Sequence, residues 1–231
     1  MLLVFALLSV AFDVGEDLEY EAKYGFLSVG RMRLAVVAET VVGGDSVYHF
    51  LSDVSSNPKY RMFFWLKDRL ESYSRKGDLL PLVFMKDIHE KNYEKKVTIE
   101  YDHKNLLAKY SDGTQVAILP ASHDLLGFYY RIREMKLALG DTAVINNHTD
   151  KKNYAVKVTA LRREKVKTQF GEWDCVLYEP QTKEKGVFGR DGKLLIWVSD
   201  DETRMPVMIK SRMSVGSLTF RIARFIRGGG R

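Results

Sequence analysis

The sequence holds a single cysteine, Cys175, in 231 residues. That excludes a disulfide framework and a thiolate metal cluster. Prolines number only five, and no Pro/Ser-rich tract or long charge block interrupts the chain. A low-complexity linker, a collagen and a disordered chain are excluded on those grounds. No apolar run approaches the roughly 20 residues of a membrane-spanning helix. No Gly-x-Ser-x-Gly elbow occurs. His49, His89, His103, His123 and His148 form no His-x-His or His-Glu-x-x-His pattern. Neither a metal centre nor a cofactor is therefore signalled. What is present is ample apolar material, 45% of residues, with 12% aromatics and a net charge of +6. This is enough for one core without staples, and an all-β chain of this length is often a single domain. The mild basicity is compatible with an anionic membrane surface, a polyanionic glycan or nucleic acid, and diagnostic of none.

Residues 1–11, MLLVFALLSVA, carry no charge, and Ser9-Val10-Ala11 is a small-x-small cleavage site. Acidic residues follow at Asp13, Glu16, Asp17 and Glu19. The expectation is a signal peptide, 1–11, cut after Ala11, although it lacks a basic n-region. Residues 12–231 then form one exported β-rich domain in the periplasm or cell envelope, with no transmembrane anchor in the mature chain.

The dominant period is two. Leu18, Tyr20, Ala22 and Tyr24 alternate with Glu19, Glu21 and Lys23. Lys95, Val97, Ile99 and Tyr101 alternate with Lys96, Thr98 and Glu100, and Val156, Val158 and Ala160 with Lys157 and Thr159. These read as antiparallel strands with one dry face. The stretch 195–199 is apolar on both faces. Gly43-Gly44-Asp45, Lys76-Gly77-Asp78, Ser111-Asp112-Gly113, Gly140-Asp141 and Arg190-Asp191-Gly192 punctuate a meander. Residues 122–137 depart from this pattern. Leu125, Phe128, Tyr129, Ile132 and Met135 recur at helical spacing, with Ser122 as cap and Asp124 in the first turn. A second short helical turn is expected around Pro58 to Trp65. The fold class expected is all-β dominated with one or two short helices, as a curved antiparallel sheet or incomplete barrel.

Asp68-Arg69-Leu70-Glu71-Ser72-Tyr73 puts Asp68, Leu70 and Ser72 on one strand face and Arg69, Glu71 and Tyr73 on the other. Either carboxylate is a candidate member of an acid–base pair, its partner being Asp200 or Asp201. The plainer alternative is a solvated strand with a cross-strand ion pair. Around Trp197, the run Asp200-Asp201-Glu202-Thr203-Arg204 reads as the acidic turn of a hairpin, with an ion pair to Arg204 expected in place of a calcium loop. Residues 161–167, LRREKVK, read as a wet strand or turn. They lack the flanking aromatics of a nucleic-acid platform. Cys175 reads as a small buried hydrophobe.

Together these residues resemble a family of exported bacterial proteins, DUF3108, whose function is unknown. The resemblance runs from Phe12-Asp13-Val14-Gly15-Glu16 through Asp68-Arg69-Leu70-Glu71-Ser72 with Pro81. It continues through Asp124-Leu125-Leu126 with Tyr129, Tyr130 and Arg131. It closes on Trp197, Ser199, Asp200, Asp201, Arg204, Pro206 and Gly216. It implies an exported, β-rich protein and supplies no catalytic residues. The concave face of such a sheet is a common ligand site. The expected function is a non-enzymatic binding or carrier module for a lipid or glycan. The alternatives are an envelope assembly factor with a protein partner and, last, a carboxylate-pair hydrolase. The residues expected to meet a ligand are Asp68, Glu71, Tyr129, Tyr130, Arg131, Trp197, Asp200, Asp201 and Arg204. No nucleic-acid partner is expected.

Overall fold

A computed structural model describes residues 11–60, 65–182, 193–212 and 216–229. The expected leader, apart from Ala11, and the 190–192 turn lie outside the described residues. In chain order the elements are β1 (Asp17–Tyr24), β2 (Leu27–Val42), β3 (Asp45–Ser56), β4 (Leu66–Arg75), β5 (Pro81–Glu90), β6 (Tyr93–Asp102), β7 (Leu107–Tyr110) and β8 (Gln115–Ala117). Then come helix α1 (Leu125–Glu134), β9 (Thr142–Thr149), β10 (Lys152–Thr168), β11 (Gly171–Gln181), β12 (Lys193–Ser199), β13 (Pro206–Arg212) and β14 (Ser217–Ile226). Of the second helical turn, Pro58–Tyr60 is a 3-10 turn, and the remainder of that expectation falls mostly outside the described residues. The basic run 161–167 is part of strand β10.

Every pairing between these strands is antiparallel, and together they form one 14-stranded sheet. Its order is β8-β7-β6-β5-β4-β3-β2-β1-β14-β13-β12-β11-β10-β9. The alternation in sequence explains the curl. Leu18, Leu34, Phe50, Phe84 and Ile99 are buried on one face and belong to one apolar cluster, so that face closes around a core. Short turns keep neighbours adjacent. Gly43 and Gly44 (φ 60° and 93°) form the two-residue link between β2 and β3, where both residues need positive φ. At Gly30 a Cβ would lie 2.4 Å from the Ser55 carbonyl oxygen, so only glycine lets β3 approach there.

The two outer strands in that order, β8 and β9, are not joined by a ladder. Side chains close the seam instead. Lys151 Nζ bonds Asp112 (2.6 Å) and Thr114 (2.8 Å), and Asn153 Nδ2 donates to the Ala117 carbonyl (2.8 Å). His148 Nδ1 donates to Asn153 Oδ1 (2.8 Å), so its Nε2 accepts from the Tyr110 hydroxyl (2.7 Å). The architecture is thus an incomplete barrel, as the alternation implied.

On the convex face, one register row crosses seven neighbouring strands with alternating charge. It runs Arg224, Glu19, Arg33, Asp53, Arg69, Asp87, Lys96. Opposite charges on paired strands each contribute roughly 0.2–1 kcal/mol, and like charges cost similar amounts. Asp53→Lys sets three cations side by side on β2, β3 and β4. It is expected to lower Tm by about 3 °C at low salt, and by less in 0.5 M NaCl because these exposed charges are screened. A thermal melt at two salt concentrations checks this.

Helix α1 closes one end of the barrel. This is the end where β1, β3, β5 and β13 start. Its N-cap is Asp124, whose Oδ1 accepts from Gly127 N (2.7 Å), whereas the sequence pointed to Ser122. Ser122 Oγ instead bonds the Leu119 carbonyl. The chain at Ala121 has positive φ (51°), and His123 pairs with Asn147 as a β-bridge, so the helix cannot start before Asp124. Tyr130 stacks on Phe50 (centroids 3.8 Å apart), and Phe128, Ile132 and Met135 enter a second apolar cluster with Val158, Tyr178 and Ile196.

Candidate functional site: an open funnel opposite the helix

Along β2 to β6, burial on the concave face falls in steps. Deepest, against α1, lies the register row Val36, Phe50, Ser72, Phe84, Ile99, and every member is buried. The next row is Leu34, Ser52, Leu70, Lys86, Val97, and there Leu70 and Val97 are only half-buried. The outermost row is Met32, Val54, Asp68, Ile88, Lys95, and all five are half-buried. Among the described residues, the chamber is filled and capped at one end and lined at the other by a less buried, largely apolar wall that also carries Asp68 and Lys95. The open end is where β1, β3, β5 and β9 finish. Sheets that curl this way offer ligand sites at their mouths.

Charged groups mark the rim of this funnel. Lys86 Nζ bonds Thr149 Oγ1 (3.0 Å) and both Asp150 oxygens (3.1 Å each), and Lys95 Nζ lies 3.3 Å from Asp150 Oδ1. These bonds hold the β9–β10 turn against the wall, and the two lysines hold the Asp150 carboxyl below its usual range despite burial. Asp150 and Lys151 both have positive φ (48° and 62°). Lysine resists such a backbone more than aspartate does; Asp150 is held by the two lysines of the wall and Lys151 by its bonds across the seam.

The expected site residues fall in different places. Asp68 faces the funnel. Burial pushes its carboxyl above the usual range, and its Oδ1 accepts from His89 N (3.2 Å). Glu71 is on the convex face, bound to His49 Nε2 (2.7 Å) and Arg69 Nε (3.0 Å). Asp200 and Asp201 sit at the closed end of the barrel, away from Asp68. Asp200 pairs with Arg163 (2.6 Å), and Asp201 Oδ1 accepts from Ser199 Oγ, Thr203 N and Arg204 N within its own turn. The structure therefore does not assemble the carboxylate pair of the hydrolase reading.

The ion pair expected for Arg204 is not formed. Its guanidinium bonds the Arg133 carbonyl, the Met135 carbonyl (2.6 Å) and the Tyr178 hydroxyl (2.7 Å). Arg204 is buried, and carbonyls at the end of α1 are nearer than any acid of its turn. With Asp200, Asp201, Lys136 and Arg163 it lines a cleft of about 490 Å³. Arg131 bonds Glu134 and lines a second cleft, of about 400 Å³, with His123 and Asn146. Tyr130 is buried against Phe50 and Phe12. Tyr129 packs on the second cluster, and burial pushes its hydroxyl up to about 12. Trp197 is buried, and its Nε1 donates to Glu164. Cys175 is buried, and its thiol is pushed up to about 12, chiefly by burial. Sequence reasoning missed Met32, Val54, Ile88 and Val97 as wall residues. Their signal was the two-residue period itself, which put Val97 in phase with Ile99.

The sequence profile of the family described as "Protein of unknown function (DUF3108)" matches residues 19–223. The chain belongs to this DUF3108 family. No curated protein matches it. Among solved structures it is similar to a "Beta-barrel-like Protein of Domain of Unknown Function DUF1849" from Brucella abortus. The TM-score is 0.66 at 6% identity, over 95% of this chain and 100% of that one. At that identity the likeness concerns the fold. For this DUF3108 chain, no helix among the described residues is long and apolar enough to cross a membrane, which leaves β-strand spanning unaddressed.

Proposed function

We propose that the protein is an exported, non-enzymatic binding or carrier module of the cell envelope, and that its funnel takes the apolar part of a lipid or lipid-linked glycan. The observation that carries this reading is the graded burial of the concave face along β2 to β6, from the filled row at Ser72 to the half-buried row at Asp68. A sheet with no ligand to hold gains by filling its whole chamber, since each half-exposed aliphatic forgoes part of its burial free energy. The reading of export rests on the apolar leader and the single cysteine.

The test is titration with N-phenylnaphthylamine, a fluorescent apolar probe. Val54→Asp is expected to weaken saturable binding at least about tenfold, because a carboxylate on an apolar wall costs more than 1.4 kcal/mol. Val41→Asp, at an exposed position outside the funnel, is expected to leave binding unchanged. Equal binding by both variants, or no saturable binding by the parent, contradicts the reading.

One observation favours the second reading, an assembly factor acting by strand addition. His123 covers the outer edge of β9 at Asn146 and His148, and the described residues leave Thr142–Ile145 without a ladder partner there. Val144 on that stretch is 64% exposed. A photo-crosslinker at Val144 that captures an envelope protein in intact cells would support it.

A further inference from the structure

We propose that the funnel selects amphiphiles with an ammonium head group and that Asp68 is the residue that recognises it. The inference rests on the funnel reading above and deepens it. Asp68 sits in the outermost concave row between Val54 on β3 and Ile88 on β5. Its carboxylate is thus flanked by apolar side chains. Its only hydrogen bond among the described residues is the one from His89 N, and no cation there pairs with it. The cations nearby are engaged elsewhere. Lys86 and Lys95 both bind Asp150, Arg69 turns to the convex face with Glu71 and Asp53, and the His89 ring lies against Asp87 and Glu94.

A half-buried carboxylate that no cation among the described residues pairs with is unfavourable in such a wall, and burial has already raised its proton affinity. A wall needed only for alkyl chains would carry an aliphatic at this position. An ammonium group seated there supplies the missing charge and donates to Oδ2, which has no partner among the described residues. Its alkyl chain then runs over Met32, Val54 and Ile88. An anionic head meets repulsion from the same carboxylate. A sugar head gains hydrogen bonds alone.

Calorimetric titration with dodecylammonium, dodecyl sulfate and dodecyl maltoside, below their micellar concentrations, holds the chain constant and varies the head. Butylammonium separates a lipid head from a free amine. Dodecylammonium is expected to bind at least about tenfold tighter than dodecyl sulfate, and butylammonium to show no saturable binding. Asp68→Asn, which keeps the acceptor for His89 N, is expected to lose that preference while still binding dodecyl maltoside saturably. Equal affinities for the two charged probes, with no effect of Asp68→Asn, overturn this inference and leave the funnel standing. Butylammonium binding as tightly as dodecylammonium overturns the lipid head. Failure of every dodecyl probe overturns the funnel and this inference with it.

Discussion

Arg133→Met is expected to lower stability by about 3–5 kcal/mol, the range for breaking a buried ion pair, and Tm by about 10 °C or more. Arg133 is 2% exposed, and its guanidinium makes five hydrogen bonds. Two go to Glu16 (2.5 and 2.8 Å), and the others to the carbonyls of Ala11 (2.8 Å), Thr203 (2.9 Å) and Arg204 (3.0 Å). It therefore ties the plug helix to the start of β1 and to the β12–β13 turn. Methionine fills much of the volume but leaves Glu16 charged and buried. It also leaves the carbonyls of Thr203 and Arg204 without this donor, each a separate penalty. Glu16→Gln with Arg133→Met removes both charges, so its cost should fall well short of the sum of the single variants. Additive costs in a denaturant series would show that the pair is not coupled and that α1 is held by its apolar face alone.

Asp124→Asn should leave stability unchanged at pH 4 and raise it at pH 7.5, whereas Asp124→Ala should destabilise at both. The Asp124 side chain is 0% exposed, and burial pushes its carboxyl up to about 6. The bonds from Ser72 Oγ (2.5 Å) and Gly127 N (2.7 Å) oppose that shift without cancelling it. The folded state thus prefers the protonated acid. Between the ordinary value of 3.8 and about 6 the folded chain binds more protons than the unfolded one, so this group's contribution is full at low pH and is lost as pH rises through about 6. The gap of about two units corresponds to roughly 3 kcal/mol. Asparagine keeps the helix cap, since its Oδ1 can accept from Gly127 N. Its Nδ2 can donate to Ser72 Oγ, which then passes its own proton to Ser74 Oγ, 2.8 Å away. Alanine loses the cap and leaves buried donors unpaired. Melts of the three proteins from pH 4 to 8 decide the matter. A variant Asn protein that is less stable at pH 7.5 would show that the buried carboxylate is a net stabiliser of α1.

Much of this architecture is visible in sequence because alternation is a local property. Leu18, Tyr20 and Ala22 on one face, and Val97 with Ile99 and Tyr101 on another strand, assign the dry side of the sheet directly. The pairing Gly43-Gly44 marks its own turn. The face of Asp68, opposite to Glu71, was legible for the same reason. The helix boundary was less so, because Ser122 and Asp124 are both good caps and only the bridge from His123 to β9 separates them. The site at the closed end was hidden for a different reason. Arg204 binds backbone carbonyls at positions 133 and 135, and a carbonyl acceptor leaves no mark on sequence, unlike the acids beside it. The opening of the funnel was equally invisible. It depends on how far α1 reaches into the barrel, a consequence of long-range contacts such as Tyr130 on Phe50 and Arg133 on Glu16.

The most direct test is native mass spectrometry of the protein, purified gently from the cells that make it and then extracted with denaturant. The funnel account predicts a co-purifying amphiphile that is released on unfolding, and that is absent from the Val54→Asp protein purified in the same way. A parent protein that emerges without any amphiphile, and that takes up none when dodecyl maltoside is added, would contradict it.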